Sequence, residues 1–325
     1  MLIWRLLMQL EEMHLDLRIA VLVPCHNEAL TITSVVKAFQ RALPNSTVFV
    51  FDNNSSDDTI LRAQEAGAIV NSVREQGKGN VIRRMFADIN ADVYVLVDGD
   101  DTYDASAAPL LVNELATKGL DMVVGCRLTD DQAAYRAGHR FGNKLLTSCV
   151  TTLFGRPLRD MLSGYRVFSR RFVKSFPAHA SGFETETELT IHAMELRMPV
   201  AEINTKYRAR PAGSASKLNT YRDGLRILLT IIRLFKAEKP LPFFASGFVA
   251  CTVIAVALAL PLLATYIQTG LVPRFPTAIL CASTMLFGML LLSCGLVLDT
   301  VTRGRTEMRR LAYLSIPGPW MTGAK

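Results

Sequence analysis

The chain has 325 residues, of which half are hydrophobic and only 20% charged, and its mean hydropathy is +0.24. Soluble domains average about 25% charged residues, so part of this chain belongs in lipid, while ordinary Gly and Pro content and the lack of a repeat period exclude disorder and solenoids. The formal charge of +7 suits either nucleic acid or an anionic membrane, and six cysteines with no close pair exclude a zinc ribbon, a CxxC centre or a disulfide framework.

Residues 1–17 form an extension whose apolar start is too short to span a bilayer. Residues 18–24 (RIAVLVP) predict a buried strand ending at His26-Asn27-Glu28, with a helix over 29–42. A second strand over 47–51 runs into the polar turn 52–58 and a helix ending near Gly67. Further strands are expected over 93–97 and 122–125. Apolar strands alternating with helices predict an α/β fold with a mostly parallel, doubly wound sheet. In such sheets ligands bind beyond the carboxyl ends of the strands. Those ends carry His26-Asn27-Glu28, Asp52-Asn53-Asn54, Asp98-Gly99-Asp100-Asp101 and Cys126-Arg127.

Asp98 and Asp100, one residue apart after a buried strand, suit a hard divalent cation that keeps positions open for phosphate oxygens. An EF-hand is excluded, because Tyr103 and Pro109 stand where that loop needs Gly and Glu. Capping of the helix that follows Thr102 is the structural alternative. Asp52 to Asp57 suits either a base edge and ribose or a plain Asx turn. Gly77-Lys78-Gly79 opens a helix at Asn80 and suits a phosphate, although the full phosphate-loop pattern and GxGxxG are both absent. Farther on, Asp160 to Arg166 and the alternating acids Glu184, Glu186 and Glu188 form two more polar clusters.

Two uncharged stretches, residues 243–268 and 275–298, each exceed the roughly 20 residues that cross a bilayer. Between residues 206 and 239 stand nine Lys or Arg against Asp223 and Glu238; Arg303, Arg305, Arg309 and Arg310 follow the second stretch, and the connecting loop holds Arg274 alone. The positive-inside rule makes this a hairpin with both ends cytosolic. The positive charge then lies at the membrane, so nucleic acid is not an expected partner. Residues 221–236 place Leu225, Leu228, Leu229, Ile232 and Phe235 at helical spacing, the pattern of an interfacial helix.

In order, VPCHNE (23–28), DNNSSDDT (52–59), GKG (77–79), DGD (98–100), VGCR (124–127), DMLSGYRVFSR (160–170), GFETETEL (182–189) and SKL (216–218) resemble the inverting family 2 glycosyltransferases of GT-A fold. The branch they most resemble moves a sugar from a nucleotide onto a polyprenyl phosphate. The resemblance implies a GT-A catalytic domain over 18–218, an interfacial helix over 219–239, a transmembrane hairpin over 240–299 and a cytosolic tail over 300–325. It implies a hexosyltransferase of the cytoplasmic membrane that uses a UDP- or GDP-sugar donor and a polyprenyl phosphate acceptor beside membrane lipid. The arrangement also leaves room for a homo-oligomer.

By the same resemblance Pro24, Asn27, Glu28, Asp52, Asn53, Lys78 and Asp98 hold the nucleotide. Asp98 and Asp100 hold Mg²⁺ or Mn²⁺, with Thr102 where relatives often place a third ligand such as Gln. Arg127, Arg140, Ser163, Arg166 and Lys217 line the acceptor phosphate, and Asp100, Asp160, Arg127 and Arg166 carry the catalysis. Asp160 or Glu184 would orient acceptor or sugar. Asn53 departs from the Asp found in many members. A different membrane acceptor, such as a glycan or glycolipid, or a non-catalytic scaffold are the competing readings. Metal-dependent sugar transfer lost in Asp100→Asn separates catalysis from the scaffold.

Overall fold

A computed structural model describes residues 17–128, 159–178, 182, 184–208, 232–233 and 235–318. Arg140, Lys217 and most of the stretch 221–236 lie outside the described residues. The chain divides into two units, Met1–Gly224 with Arg309–Lys325, and Leu225–Met308.

The first unit is an α/β sandwich. Its strands are β1 (Ile19–Cys25), β2 (Ser46–Asp52), β3 (Ile69–Ser72), β4 (Val93–Leu96), β5 (Met122–Leu128), β6 (Arg166–Ser169) and β7 (Val200–Lys206). Its helices are α1 (Ile32–Ala42), α2 (Thr59–Glu65), α3 (Lys78–Asp88), α4 (Ala108–Thr117), α5 (Arg170–Ser175) and α6 (Thr185–Glu195). The sheet order is β3-β2-β1-β4-β6-β5-β7, parallel except for β6, which runs antiparallel to both neighbours. The expected α/β class with a mostly parallel sheet is the observed one.

Strand β1 shows why the sequence folds this way. Its side chains alternate, so Ile19, Val21, Val23 and Cys25 enter one core with Ile32, Val35, Val36 and Phe39 of α1, while Ala20 and Leu22 enter the other with Met85 and Phe86 of α3. A strand buried on both faces needs a continuous apolar run, which IAVLVPC supplies. From β1 the chain winds outward through β2 and β3, then returns to place β4 on the opposite side of β1. The switch point therefore falls between the ends of β1 and β4, at His26-Asn27-Glu28 and Asp98-Gly99-Asp100.

Three strands lie outside the sequence expectation. β3 is a short, partly exposed edge, β6 sits inside the DMLSGYRVFSR motif, and β7 mixes apolar with charged residues. None of them shows the long apolar run that marks β1.

The second unit contains α7 (Pro240–Thr269), and α8 (Phe275–Leu314) runs from it into the first unit. Both helices are long and apolar enough to cross a membrane, and only 6% and 11% of their most apolar windows are buried. A soluble core helix would bury most of that surface. α7 and α8 meet through small residues: a Cβ on Gly288 would lie 3.0 Å from that of Cys251, and one on Gly295 would lie 3.0 Å from that of Phe244. Close backbone approach of this kind is how helices associate in lipid. α8 continues well past residue 298, where the apolar run ends.

Candidate active site

The loop after β1 is knitted to the turn after β2. Asn27, at φ 55°, accepts the Ser56 amide on Oδ1 at 2.7 Å and donates its own amide to Ser55 Oγ at 2.8 Å. The Glu28 amide donates to Thr59 Oγ1 at 2.9 Å, and Pro24 pairs in register with Phe51. Asp52 is buried, and its Oδ2 accepts from the Ser55 amide at 3.0 Å. Its Oδ1 is buried with no hydrogen-bond partner among the described residues.

Asn53 departs from its expected place on the nucleotide. Its amide nitrogen donates to the carbonyls of Val73 and Glu75, and its Oδ1 accepts from the Gly77 amide at 2.7 Å. The side chain is spent on holding the loop that leads into α3.

Asp98 and Asp100 follow β4, and both flanking glycines are enforced by contact. A Cβ on Gly99 would sit 2.6 Å from Cys25 Sγ, and one on Gly164 would collide with the Asp98 carboxylate. The loop around Ser163 therefore lies directly against Asp98, held by a 2.8 Å hydrogen bond from the Gly164 amide to the Tyr103 hydroxyl. Asp100 is buried, and its Oδ1 accepts from Thr102 Oγ1 at 2.6 Å. Thr102, expected as a third metal ligand, is fully buried and donates its hydroxyl to Asp100.

Lys78 does not stand free for a phosphate. Its ammonium lies 2.5 Å from both Asp98 Oδ1 and Glu186 Oε1. Burial favours the neutral amine, but the charges of Asp98 and Glu186 outweigh it and raise the lysine above its ordinary pKa. Glu186 lies inside the GFETETEL motif, where its position among alternating acids is the sequence signal for this contact.

At the end of β5, Arg127 makes a bidentate pair with Asp160, Nε to Oδ2 and Nη2 to Oδ1 at 2.7 Å each. Its guanidinium also lies over the Tyr207 ring, 5.6 Å from the centroid. Burial pushes the Asp160 carboxyl up, yet the hydrogen bonds and charge of Arg127 hold it below the ordinary aspartate value. Asp160 is thus a carboxylate fixed to an arginine.

Arg166 and Ser163 differ from the acceptor-facing role expected of them. Both are fully enclosed. Arg166 donates to the Ser163 and Met161 carbonyls and to Thr190 Oγ1, and Ser163 donates to the Gly125 carbonyl at 2.6 Å. They shape the loop over Asp98, and Arg127 is the partly exposed cation beside it. Burial raises the thiols of Cys25, well above the ordinary value, and of Cys126, pushed up to about 12, so neither serves as a nucleophile at neutral pH.

A separate cavity of about 540 Å³ lies between the end of β3 and α3, lined by Arg74, Glu75, Asn80, Arg83 and Arg84 among others. It contains none of the carboxylates at the switch point.

The mostly parallel sheet, with its carboxylates at the switch point where such sheets bind ligands, is that of a GT-A fold. Glucosyl-3-phosphoglycerate synthase from Mycobacterium tuberculosis, solved with Mn²⁺, uridine diphosphate and phosphoglyceric acid, superposes with a TM-score of 0.58 at 26% identity over 70% of this chain and 81% of that one. The chain belongs to glycosyltransferase family 2, whose profile matches residues 20–176. It is 32% identical to the glycosyltransferase AglJ of Haloferax volcanii over 91% of this chain and 98% of that protein. It is also 27% identical to the dolichyl-phosphate hexose transferase of the same organism, over 68% of this chain and 95% of that protein. The chain is a hexosyltransferase that acts on a nucleotide sugar.

Proposed function

We propose that this hexosyltransferase moves a sugar from a UDP- or GDP-sugar to a polyprenyl phosphate at the cytosolic membrane face, with inversion at the anomeric carbon. One observation carries the reading: a nucleotide-sugar transferase unit shares its chain with two apolar helices that leave their apolar windows exposed. An acceptor anchored by a polyprenyl tail presents only its phosphate at the surface, so its enzyme must stand there. The dolichyl-phosphate relative supports this acceptor class.

The residues fit a divalent cation in part. Asp98 and Asp100 are hard oxygen donors that a cation would use together with phosphate oxygens and water, and no group of three His, Cys, Asp or Glu joins them among the described residues. The Mn²⁺ and uridine diphosphate in the mycobacterial neighbour support the same assignment. When bound, the cation offsets the charge that develops on the departing nucleoside diphosphate. Thr102 holds the Asp100 carboxylate in place. Asp52, with one buried oxygen unpartnered among the described residues, receives a donor from the nucleoside. Arg127 shields the acceptor phosphate, kept in position by Asp160. That phosphate is already anionic at neutral pH, so no general base is required, and Asp160 serves as a positioning residue.

The protein in detergent should release nucleoside diphosphate from one UDP- or GDP-sugar only when both undecaprenyl phosphate and Mn²⁺ are present, and Asp100→Asn should lower that release roughly a hundredfold or more. Release that ignores the lipid would replace this acceptor with another, and release that ignores EDTA would remove the metal.

A further inference from the structure

The three alternating acids at the start of α6 are not equivalent. Glu186 is only 5% exposed. Its Oε1 contacts the Lys78 ammonium at 2.5 Å, while its Oε2 is buried and has no hydrogen-bond partner among the described residues. Lys78 already has a carboxylate partner, Asp98 Oδ1 at 2.5 Å. One ammonium therefore stands between two carboxylates, and the second exceeds what charge neutralisation needs. A buried carboxylate oxygen lacking a donor is a standing cost to the fold. Filling space or screening Lys78 would not require it.

We infer that Glu186 is a sugar-recognising residue, whose Oε2 accepts a hydrogen bond from a hydroxyl of the donor hexose. This rests on the proposed placement of the nucleotide sugar at Asp98. The two carboxylates share a single ammonium, so Glu186 lies immediately beside the diphosphate end of the donor. The donor group adjoining that diphosphate is the hexose. A carboxylate oxygen there repels further phosphate and accepts from a neutral hydroxyl. Lys78 fixes the other oxygen, which leaves Oε2 little freedom to re-aim. A site built in this way rejects sugars that lack the matching hydroxyl, because the buried acceptor is then left unsatisfied.

The test compares UDP with UDP-glucose, and GDP with GDP-mannose, by binding titration on the full-length protein in detergent with Mn²⁺. Glu186→Gln and Glu186→Ala are measured beside the unmodified chain, with circular dichroism to confirm folding. The expected result is a nucleoside diphosphate Kd that moves less than about twofold and a sugar-nucleotide Kd that rises roughly tenfold or more. Among analogues of the bound sugar nucleotide lacking one hydroxyl, one should bind the unmodified protein about as weakly as the parent binds Glu186→Gln, and should be indifferent to the substitution. Equal weakening of diphosphate and sugar nucleotide, or no change in either, overturns the inference and leaves the donor site standing. If the unmodified protein binds neither UDP nor GDP, the donor site itself falls and the inference falls with it.

Discussion

Gly164 is the residue on which the geometry around Asp98 depends most directly. Any side chain at this position must displace the Asp98 carboxylate or pull the loop away from the Tyr103 hydroxyl. Gly164→Ala is therefore expected to retain the fold by circular dichroism and to lower hexosyl transfer roughly tenfold or more, since small displacements of a reacting constellation are costly. Gly304→Ala is the control: it lies within α8 with nothing inside 4 Å of its added Cβ, so transfer should be unchanged. Equal activity in both variants would show that the loop gives way without disturbing Asp98. The polar clusters at the switch point were legible as residue types, because a carboxylate pair after a buried strand has few other uses. Their division of labour was not. Asn53 read as a nucleotide contact but braces the loop into α3, and Lys78 read as a phosphate contact but stands between two carboxylates. Partners 20 and more than 100 residues away in sequence made those roles, and no local pattern records them.

Helix α6 carries a titratable group that the proposed chemistry leaves unused. His192 is buried between α5 and α6, with Nε2 3.0 Å from Ser175 Oγ, its ring against Phe172 and Phe176, and Nδ1 without a hydrogen-bond partner among the described residues. Burial, reinforced by the nearby charge of Arg309, pulls its pKa from 6.5 to about 3. Above pH 6.5 the ring is neutral in both folded and unfolded chains and contributes no pH dependence. Below that value the unfolded chain takes up a proton that the folded chain refuses, so stability falls with pH, by at most about 1.4 kcal/mol per unit, down to about pH 3. Thermal unfolding between pH 7 and pH 5 should therefore show a shallower loss in His192→Gln than in the unmodified protein. Parallel curves would mean that the ring is hydrated in solution. The strong elements β1, β2, β4 and α1 were legible from periodicity, whereas α6 was not. Nine of its eleven residues are buried, from Thr185 to Met194, with Glu188 and Glu195 the exceptions, so its acids and threonines never form the one-sided apolar stripe that marks α1.

At the scale of the whole molecule, the chain after the second apolar stretch read as a cytosolic tail because charge returns there. The structure continues α8 to Leu314 and gives its last turns to the α/β unit. Asp121, fully buried before β5, gathers Ser169 Oγ at 2.7 Å, Arg171 through Nε at 2.5 Å and Nη2 at 2.9 Å, and the Tyr313 hydroxyl at 2.8 Å. Arg171 also lies over the Tyr313 ring, 4.8 Å from its centroid, and Arg309 pairs with Glu195 at 2.5 Å one turn earlier. A carboxylate held inside the protein needs every donor it has, because each one lost exposes part of its desolvation cost. Tyr313→Phe keeps the ring packing and removes only the hydroxyl, so it isolates that hydrogen bond. Its expected cost is about 1.5–3 kcal/mol, the range for a hydrogen bond to a charged group, seen as a lower unfolding temperature in detergent. Ending the chain after Met308 removes Tyr313 and Arg309 together and should cost more than Tyr313→Phe alone. If both variants unfold at the temperature of the unmodified protein, Arg171 and Ser169 suffice for Asp121 and the end of α8 adds nothing to the stability of the catalytic unit.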